Sequence, residues 1–292
     1  MSPVAPPRDS SLSRRRLRRL LGSRSATVLR QIAKVRASSD PDAIHDLRVA
    51  TRRLQEALDF FEPCLPARAR RRLARRARRI RRALGEIRNA DVTLKMVSLL
   101  RSEWGPESSR MLHQLRDRLR SETAALRRKA TGRQGVPVAG ARKRSRALLA
   151  GLDGRREFEL APRARRVLEL RVGEVLGRLP PARTGDAEAL HRLRLAVKSY
   201  RYALEILEDL GWRGARPGIA TARKVQEELG RIHDLDVLSE LVRRIPSAGA
   251  EELIERIARD RRLRLASFRK VLGDFRPDDV RADFAGAGLP DR

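Results

Sequence analysis

One cysteine in 292 residues, Cys64, leaves no disulfide framework to build and no Cys-based zinc site to fill. Aromatic residues are almost as scarce: two Trp, two Tyr and six Phe amount to 3% of the chain. That is a poor supply for the stacking platforms on which single-stranded nucleic acids usually lie. No apolar run approaches the ~20 residues a membrane-spanning helix needs. The basic start, MSPVAPPRDSSLSRRRLRRLLGSR, lacks the apolar core of a secretory signal, so a reducing cytoplasm is the expected compartment. No P-loop, H-E-x-x-H or repeated carboxylate pair appears, and β-branched residues are too scattered to suggest a strand of consequence.

Positive charge is abundant. Lys and Arg number 67 against 37 Asp and Glu, a formal net charge of +30. A polyanion is therefore the first partner to consider, whether nucleic acid, an acidic membrane surface or polyphosphate. Charge alone does not choose among them, because only seven of the 67 are lysines and arginine is also a good filler of solvated helix faces. Hydrophobic residues reach 41%, too many for a disordered basic tail.

Ala, Leu, Arg and Glu dominate every long segment, which predicts an all-α protein. The expected helices are 24–37, 41–62, 66–88, 90–103 and 107–130, then 161–179, 187–210, 216–232, 234–244 and 249–272, with a shorter one at 143–150. Residues 1–23 read as a flexible basic arm, 24–130 as a first helical bundle and 131–145 as a linker. Residues 146–275 read as a second bundle and 276–292 as a loose tail.

The two halves repeat. DPDAIHDLRVATRRLQEAL (40–58) aligns with DAEALHRLRLAVKSYRYAL (186–204) at an offset of 146, and RRIRRALGEIRNADV (78–92) with RKVQEELGRIHDLDV (223–237) at an offset of 145. Two blocks at nearly constant offset imply an internal duplication of a bundle.

The first block opens on an N-cap, Asp40 or Asp186, with Pro41 at the first helical position in copy one. Leu47, Ala50, Leu54, Ala57, Leu58 and Phe61 recur at three- and four-residue spacing and define a buried stripe. Leu193, Ala196, Tyr200, Ala203, Leu204 and Leu207 do the same in copy two. His45, Arg48 and Arg52, and likewise His191, Arg194, Lys198 and Arg201, fall on a separate arc. Such spacing puts side chains about 5–6 Å apart, and like charges so placed repel by a few tenths of a kcal/mol per pair. A polyanion relieves that repulsion, and guanidinium forks match phosphate oxygens.

In the second block, Gly85 and Gly230 suit a helix end or a close crossing. Asp91 and Asp236 suit a cap or an arginine partner. Arg78, Arg79, Arg223 and Lys224 are repeated basic positions on a helix able to face the first stripe.

H-x-L-R-V-A-x-R in one half, H-x-L-R-L-A-x-K-x-x-R-Y-A-L-E in the other and the LG…DV block after each resemble the CHAD domain, the conserved histidine α-helical domain, across roughly residues 24–272. The resemblance implies two similar helical bundles related by pseudo-twofold symmetry, with a basic groove or pore between them. It implies non-catalytic binding of inorganic polyphosphate and association with polyphosphate granules in the cytoplasm. Carried over by motif, the polyphosphate-contacting residues are His45, Arg48, Arg52, Arg79, His191, Arg194, Lys198, Arg201 and Lys224. No catalytic residue, metal site or cofactor is expected. Copy one departs at Gln55, aligned with Arg201, and at Arg53, aligned with Ser199, so the stripes are not equally charged.

The main alternative is a non-specific nucleic-acid-binding protein, since duplex DNA rewards the same phosphate contacts. A phosphohydrolase is the weaker one. The only echo of the E-x-E-x-K strand of a triphosphate-tunnel domain, Glu157-Phe158-Glu159, lacks the lysine.

Overall fold

The computed structural model describes residues 10–38, 40–100, 106–131, 140–152, 160–244 and 249–287. Every regular element among them is a helix. In the first half these are α1 (Ser10–Ala37), α2 (Pro41–Phe60), a 3-10 turn (Glu62–Cys64), α3 (Ala67–Ala83), α4 (Gly85–Leu100), α5 (Pro106–Thr131) and α6 (Ala141–Ala150). The second half holds α7 (Leu160–Leu176), α8 (Leu179–Ala182), α9 (Ala187–Asp209), α10 (Ala215–Arg243), α11 (Ala250–Gly273) and α12 (Pro277–Ala287). None of these is long and apolar enough to cross a membrane.

Capping chemistry sets the starts of α2 and α9. Asp40 accepts a hydrogen bond from the Ala43 amide at 3.2 Å, and Asp186 one from the Ala189 amide at 2.8 Å. The two apolar stripes of these helices are buried in full, from Leu47 to Phe61 and from Leu193 to Leu207. They belong to one large core that runs through both halves. A second, smaller core joins Val97 of α4 and Met111, Leu112, Leu115 and Leu119 of α5 to Leu238 and Val242 of α10 and Leu253 and Ile257 of α11. Packing partners recur in order: α1 on α2 and α7 on α9, α2 on α3 and α9 on α10, α4 on α5 and α10 on α11.

Four boundaries differ from those read in the sequence. From Ser10 the expected arm is part of α1, because Leu17, Leu20 and Leu21 continue the three- and four-residue spacing of Val28, Ile32 and Val35 and are buried with them. From Pro277 to Ala287 the expected tail is α12. Asp278 and Asp279 favour its N-terminal dipole, and the Phe284 ring meets Trp212 edge-on at 4.7 Å. The expected pair 216–232 and 234–244 is the single helix α10, with Gly230 inside it and open space where its side chain would be. Its counterpart breaks at Leu84, between α3 and α4. So neither glycine serves a close crossing. Residues 1–9 of the arm, 132–139 of the linker, 288–292 of the tail and the segment 157–159 lie outside the described residues.

Asp91 and Asp236 take the arginine option. Asp91 pairs with Arg127 of α5 and Asp236 with Arg261 of α11, each at 2.5 Å. Aligned acids thus tie α4 to α5 and α10 to α11.

Candidate functional site

The helices α2 and α9 pack against each other, and their basic arcs come together. There α3, α4 and α10 complete a cleft of about 820 Å³. His45, Arg48 and Arg52 of α2 line it, with Arg194 and Lys198 of α9. The last turn of α3 adds Arg81 and Arg82, α4 adds Arg88, and α10 adds His233. Only two carboxylates, Glu86 and Asp234, belong to the lining.

These cations are poorly neutralised. Arg52 pairs with Glu56 at 2.8 Å, but Arg48, Arg81, Arg82, Arg88, Arg194 and Lys198 form no ion pair among the described residues. Arg48 donates only to the Arg81 carbonyl, at 3.0 Å. Arg81 Nη1 and Arg194 Nε are buried and donate to nothing, and each such orphan donor costs about 1–3 kcal/mol.

Titration follows from this crowding. Burial, then Arg194, Arg52, Arg201 and Arg48, pushes the Lys198 ammonium down to about 7 from an ordinary 10.5. Burial, then Arg81 and Arg88, lowers Arg48. His45 is lowered by burial and then by Arg88, and His233 by burial and then by Arg194 and His191. The carboxyl of Asp234 is pushed up by burial although Arg194, Arg88 and Lys198 pull the other way. Each of these cationic or basic groups is held against its own preference, and an anion in the cleft would reverse that.

The cleft adjoins a wider one of about 1350 Å³ with which it shares His45, Arg88 and Asp234. Charge is mixed there: Asp91 holds Arg127, and Asp260 lies 3.8 Å from Arg256. Beside the cleft, further along α2 and α9, a pocket of about 420 Å³ is lined by Arg24, Arg53 and Arg223, together with Asp46, Glu205, Glu208 and Asp209. Its arginines are taken up by acids. Arg24 meets Asp209 at 2.7 Å, Arg53 meets Glu205 at 3.1 Å, and Arg223 lies 3.8 Å from Glu205.

Of the nine residues expected from the sequence, five line the basic cleft: His45, Arg48, Arg52, Arg194 and Lys198. Four do not. Arg201 is buried against Glu205 and Gln226, with its guanidinium over the Tyr202 ring at 4.5 Å, so its donors are spent inside the protein. His191 sits behind the lining, its ring 5.3 Å from that of His233. Arg79 and Lys224 are exposed on α3 and α10 outside the lining.

Arg81, Arg82, Arg88 and His233 take their place. A search for identical pairs passes over them, since Arg81 aligns with Gln226 and Arg88 with His233. Yet Gln226 and His233 line the cleft as well. Helical phase is the signal that finds this face, because Arg81, Arg88 and Val92 share one side of the α3–α4 segment at intervals of seven and four residues.

A family model described as CHAD domain matches residues 8–243. Two solved structures share the fold. The CHAD domain from the plant Ricinus communis has a TM-score of 0.64 and 23% identity, covering 94% of this chain and 90% of its own. PptA from Streptomyces chartreusis has a TM-score of 0.65 and 15% identity, covering 90% of this chain and 98% of its own. No curated protein matches the sequence.

Proposed function

The chain belongs to the CHAD domain family, and from that membership and the unneutralised cleft we propose that it binds inorganic polyphosphate without turning it over. The observation that carries the proposal is a lining with seven cations and two carboxylates, in which Arg52 Nε and Arg81 Nη1 of one half and Arg194 Nε of the other are buried without a hydrogen-bond partner among the described residues. Buried N–H groups without partners suit an oxygen-rich ligand. The lining draws on positions 145 or 146 apart, Arg48 with Arg194 and Arg52 with Lys198, as two copies of one bundle around a shared groove would. Rigid helices hold these groups in place beforehand, so a string of phosphates enters with little reorganisation of the protein. The proposal extends to association with polyphosphate granules, which binding of this kind would support.

Nucleic acid fits less well. The only aromatic ring in the lining apart from His45 and His233 is Tyr202, which Arg201 already covers, so bases have little to stack on.

The test is titration of the purified protein with polyphosphate, alone and against duplex DNA at equal phosphate concentration, with orthophosphate release followed in parallel. Replacing Arg48, Arg52, Arg194 and Lys198 together by Gln should weaken polyphosphate binding at least about a hundredfold, several charge-assisted contacts being lost at once, while helicity survives. Displacement of polyphosphate by equivalent DNA would overturn the reading in favour of nucleic acid. Steady orthophosphate release would make the protein a hydrolase.

A further inference from the structure

Outside the cleft, α3 presents a second array of cations. From residue 63 to residue 85 there is no acidic side chain. Leu73, Ala74, Ala77 and Ile80 bury the inner face of α3, and Arg70 is tied to Glu62 and Asp59. On the outer face Arg68, Arg72, Arg75, Arg79 and Arg82 follow one another at alternating steps of four and three residues. All five are exposed, and none forms an ion pair among the described residues. At about 1.5 Å of rise per residue the row is about 21 Å long.

Two features separate this row from an ordinary solvated face. The first is its position. It ends at Arg82, which is itself part of the cleft lining beside Arg81, so the row starts at the mouth of the cleft and leads outward. The second is its one-sidedness. The aligned positions are Arg213, just before α10, and Pro217, Ala220, Lys224 and Glu227 on it, so the same face of the other half is interrupted and carries an acid. Arginine's helix propensity explains why α3 is a helix. It does not explain why acids, equally good helix formers, are missing from only one of the two faces.

We propose that α3 is an outboard rail for the anion held in the cleft: a polyphosphate chain too long for the cleft leaves past Arg82 and continues along Arg79, Arg75, Arg72 and Arg68. This rests on the polyphosphate reading above and adds a chain-length preference to it. Short chains occupy the cleft alone. Long chains occupy cleft and rail together and gain affinity because the second set of contacts is made at high effective concentration.

The experiment compares tripolyphosphate with long-chain polyphosphate on the full chain. The rail variant replaces Arg68, Arg72, Arg75 and Arg79 by Gln and leaves Arg82 in place. A matched control replaces the exposed cations Arg213, Arg259, Arg262 and Lys270 by Gln, removing the same charge elsewhere. In the rail variant, tripolyphosphate affinity should stay within about twofold of the parent protein. Long-chain affinity should fall about tenfold or more, with a logarithmic salt dependence shallower by about three.

Equal losses in rail variant and control would overturn the rail in favour of a diffuse field. Unchanged long-chain binding with lost DNA binding would assign the row to nucleic acid. Should the quadruple variant fold poorly, the double variant Arg72→Gln, Arg75→Gln serves in its place. The unmutated protein gives an independent reading, since equal affinity per chain for short and long polyphosphate overturns the rail while leaving the cleft intact. If the unmutated protein binds neither, the polyphosphate reading itself falls.

Discussion

The helix pair α2–α9 has cations along two adjoining edges that meet at Arg201, one turn beyond Lys198 on the same arc, and the edges treat them in opposite ways. On one edge Arg24, Arg53 and Arg201 each meet a carboxylate, and Glu205 alone takes up Arg53 and Arg201, with Arg223 at 3.8 Å. On the other, Arg48, Arg194 and Lys198 meet none among the described residues. Cations alone, seven in the cleft lining against three in the pocket, do not mark an anion site. The withdrawal of acids does. One edge is a fastening between halves, and the other is a charge imbalance maintained by the fold.

The largest effect expected from this contrast concerns the fastened edge. Glu205 is 7% exposed, and its partner Arg201 is similarly enclosed. Glu205→Ala leaves a buried guanidinium with Gln226 as its only remaining hydrogen-bond partner. The loss should be about 3–5 kcal/mol of unfolding free energy, read by denaturant titration. Arg201 also touches Gln226 of the cleft lining and acts on Lys198, so the freed guanidinium should leave polyphosphate affinity of the molecules that remain folded unchanged or tighter. A collapse of binding in a protein of intact helicity would mean that Glu205 holds the cleft lining in position through Arg201.

Lys198 tests the other edge. Its ammonium is depressed to about 7 in the free protein, chiefly by burial and then by Arg194. The unfolded chain therefore binds more protons than the folded one between about pH 7 and the ordinary lysine value. Stability of the free protein rises with pH across that window, and at or below pH 7 the charged lysine is a burden. Lys198→Met should raise the melting temperature of the free protein at pH 7, flatten that rise, and weaken polyphosphate binding about tenfold, as the loss of one charge-assisted contact would. A bound polyanion restores the proton, so affinity of the parent protein should fall as pH climbs above about 7. His45 and His233, both below their ordinary value, should add a further tightening only at more acidic pH. Calorimetry in buffers of different ionisation enthalpy measures the proton uptake. Binding with no uptake at pH 8 would sink this assignment of Lys198.

Much of this arrangement is legible in the sequence, and the parts that are not have physical causes. The periodic stripes from Leu47 and from Leu193 place two buried faces and, by subtraction, two basic arcs, because helical phase is local. The cap residues Asp40 and Asp186 fix where those phases begin. Partnering is not local. Gln55 aligns with Arg201 and, by alignment alone, removes a ligand from one half. In the fold both are buried and both donate to an acid four residues on, Gln55 to Asp59 and Arg201 to Glu205. The difference in charge is thus a difference in packing. Arg53, whose aligned residue is Ser199, crosses to the other half to reach Glu205. Arg81 and Arg88 escape a search for identity because their counterparts are Gln226 and His233, though all four occupy the lining. Alignment finds residues of one type, while a binding surface needs only residues of one direction. The start of α1 is missed for a related reason: its arginines hide an apolar face whose leucines are spaced regularly beneath them.

The finest test of the contrast lies within the cleft itself. Asp234 is one of only two carboxylates in the lining, and its aligned residue in the first half is the neutral Asn89, also in the lining. If acids are what separates one edge from the other, Asp234 is a residual piece of neutralisation, and Asp234→Asn should make the two halves alike and bind polyphosphate about two- to threefold more tightly near neutral pH. The gain should shrink on acidification. Burial already pushes the Asp234 carboxyl above its ordinary value, so the parent protein loses this negative charge at a higher pH than an exposed aspartate would. A loss of affinity instead would mean that Asp234 acts by holding Arg194 in position rather than by cancelling charge. Parallel titrations of Asp234→Asn and Asp234→Ala distinguish these, because Asn keeps a hydrogen-bonding oxygen near Arg194 and Ala does not. Equal gains in both variants identify the charge as the only quantity that counts.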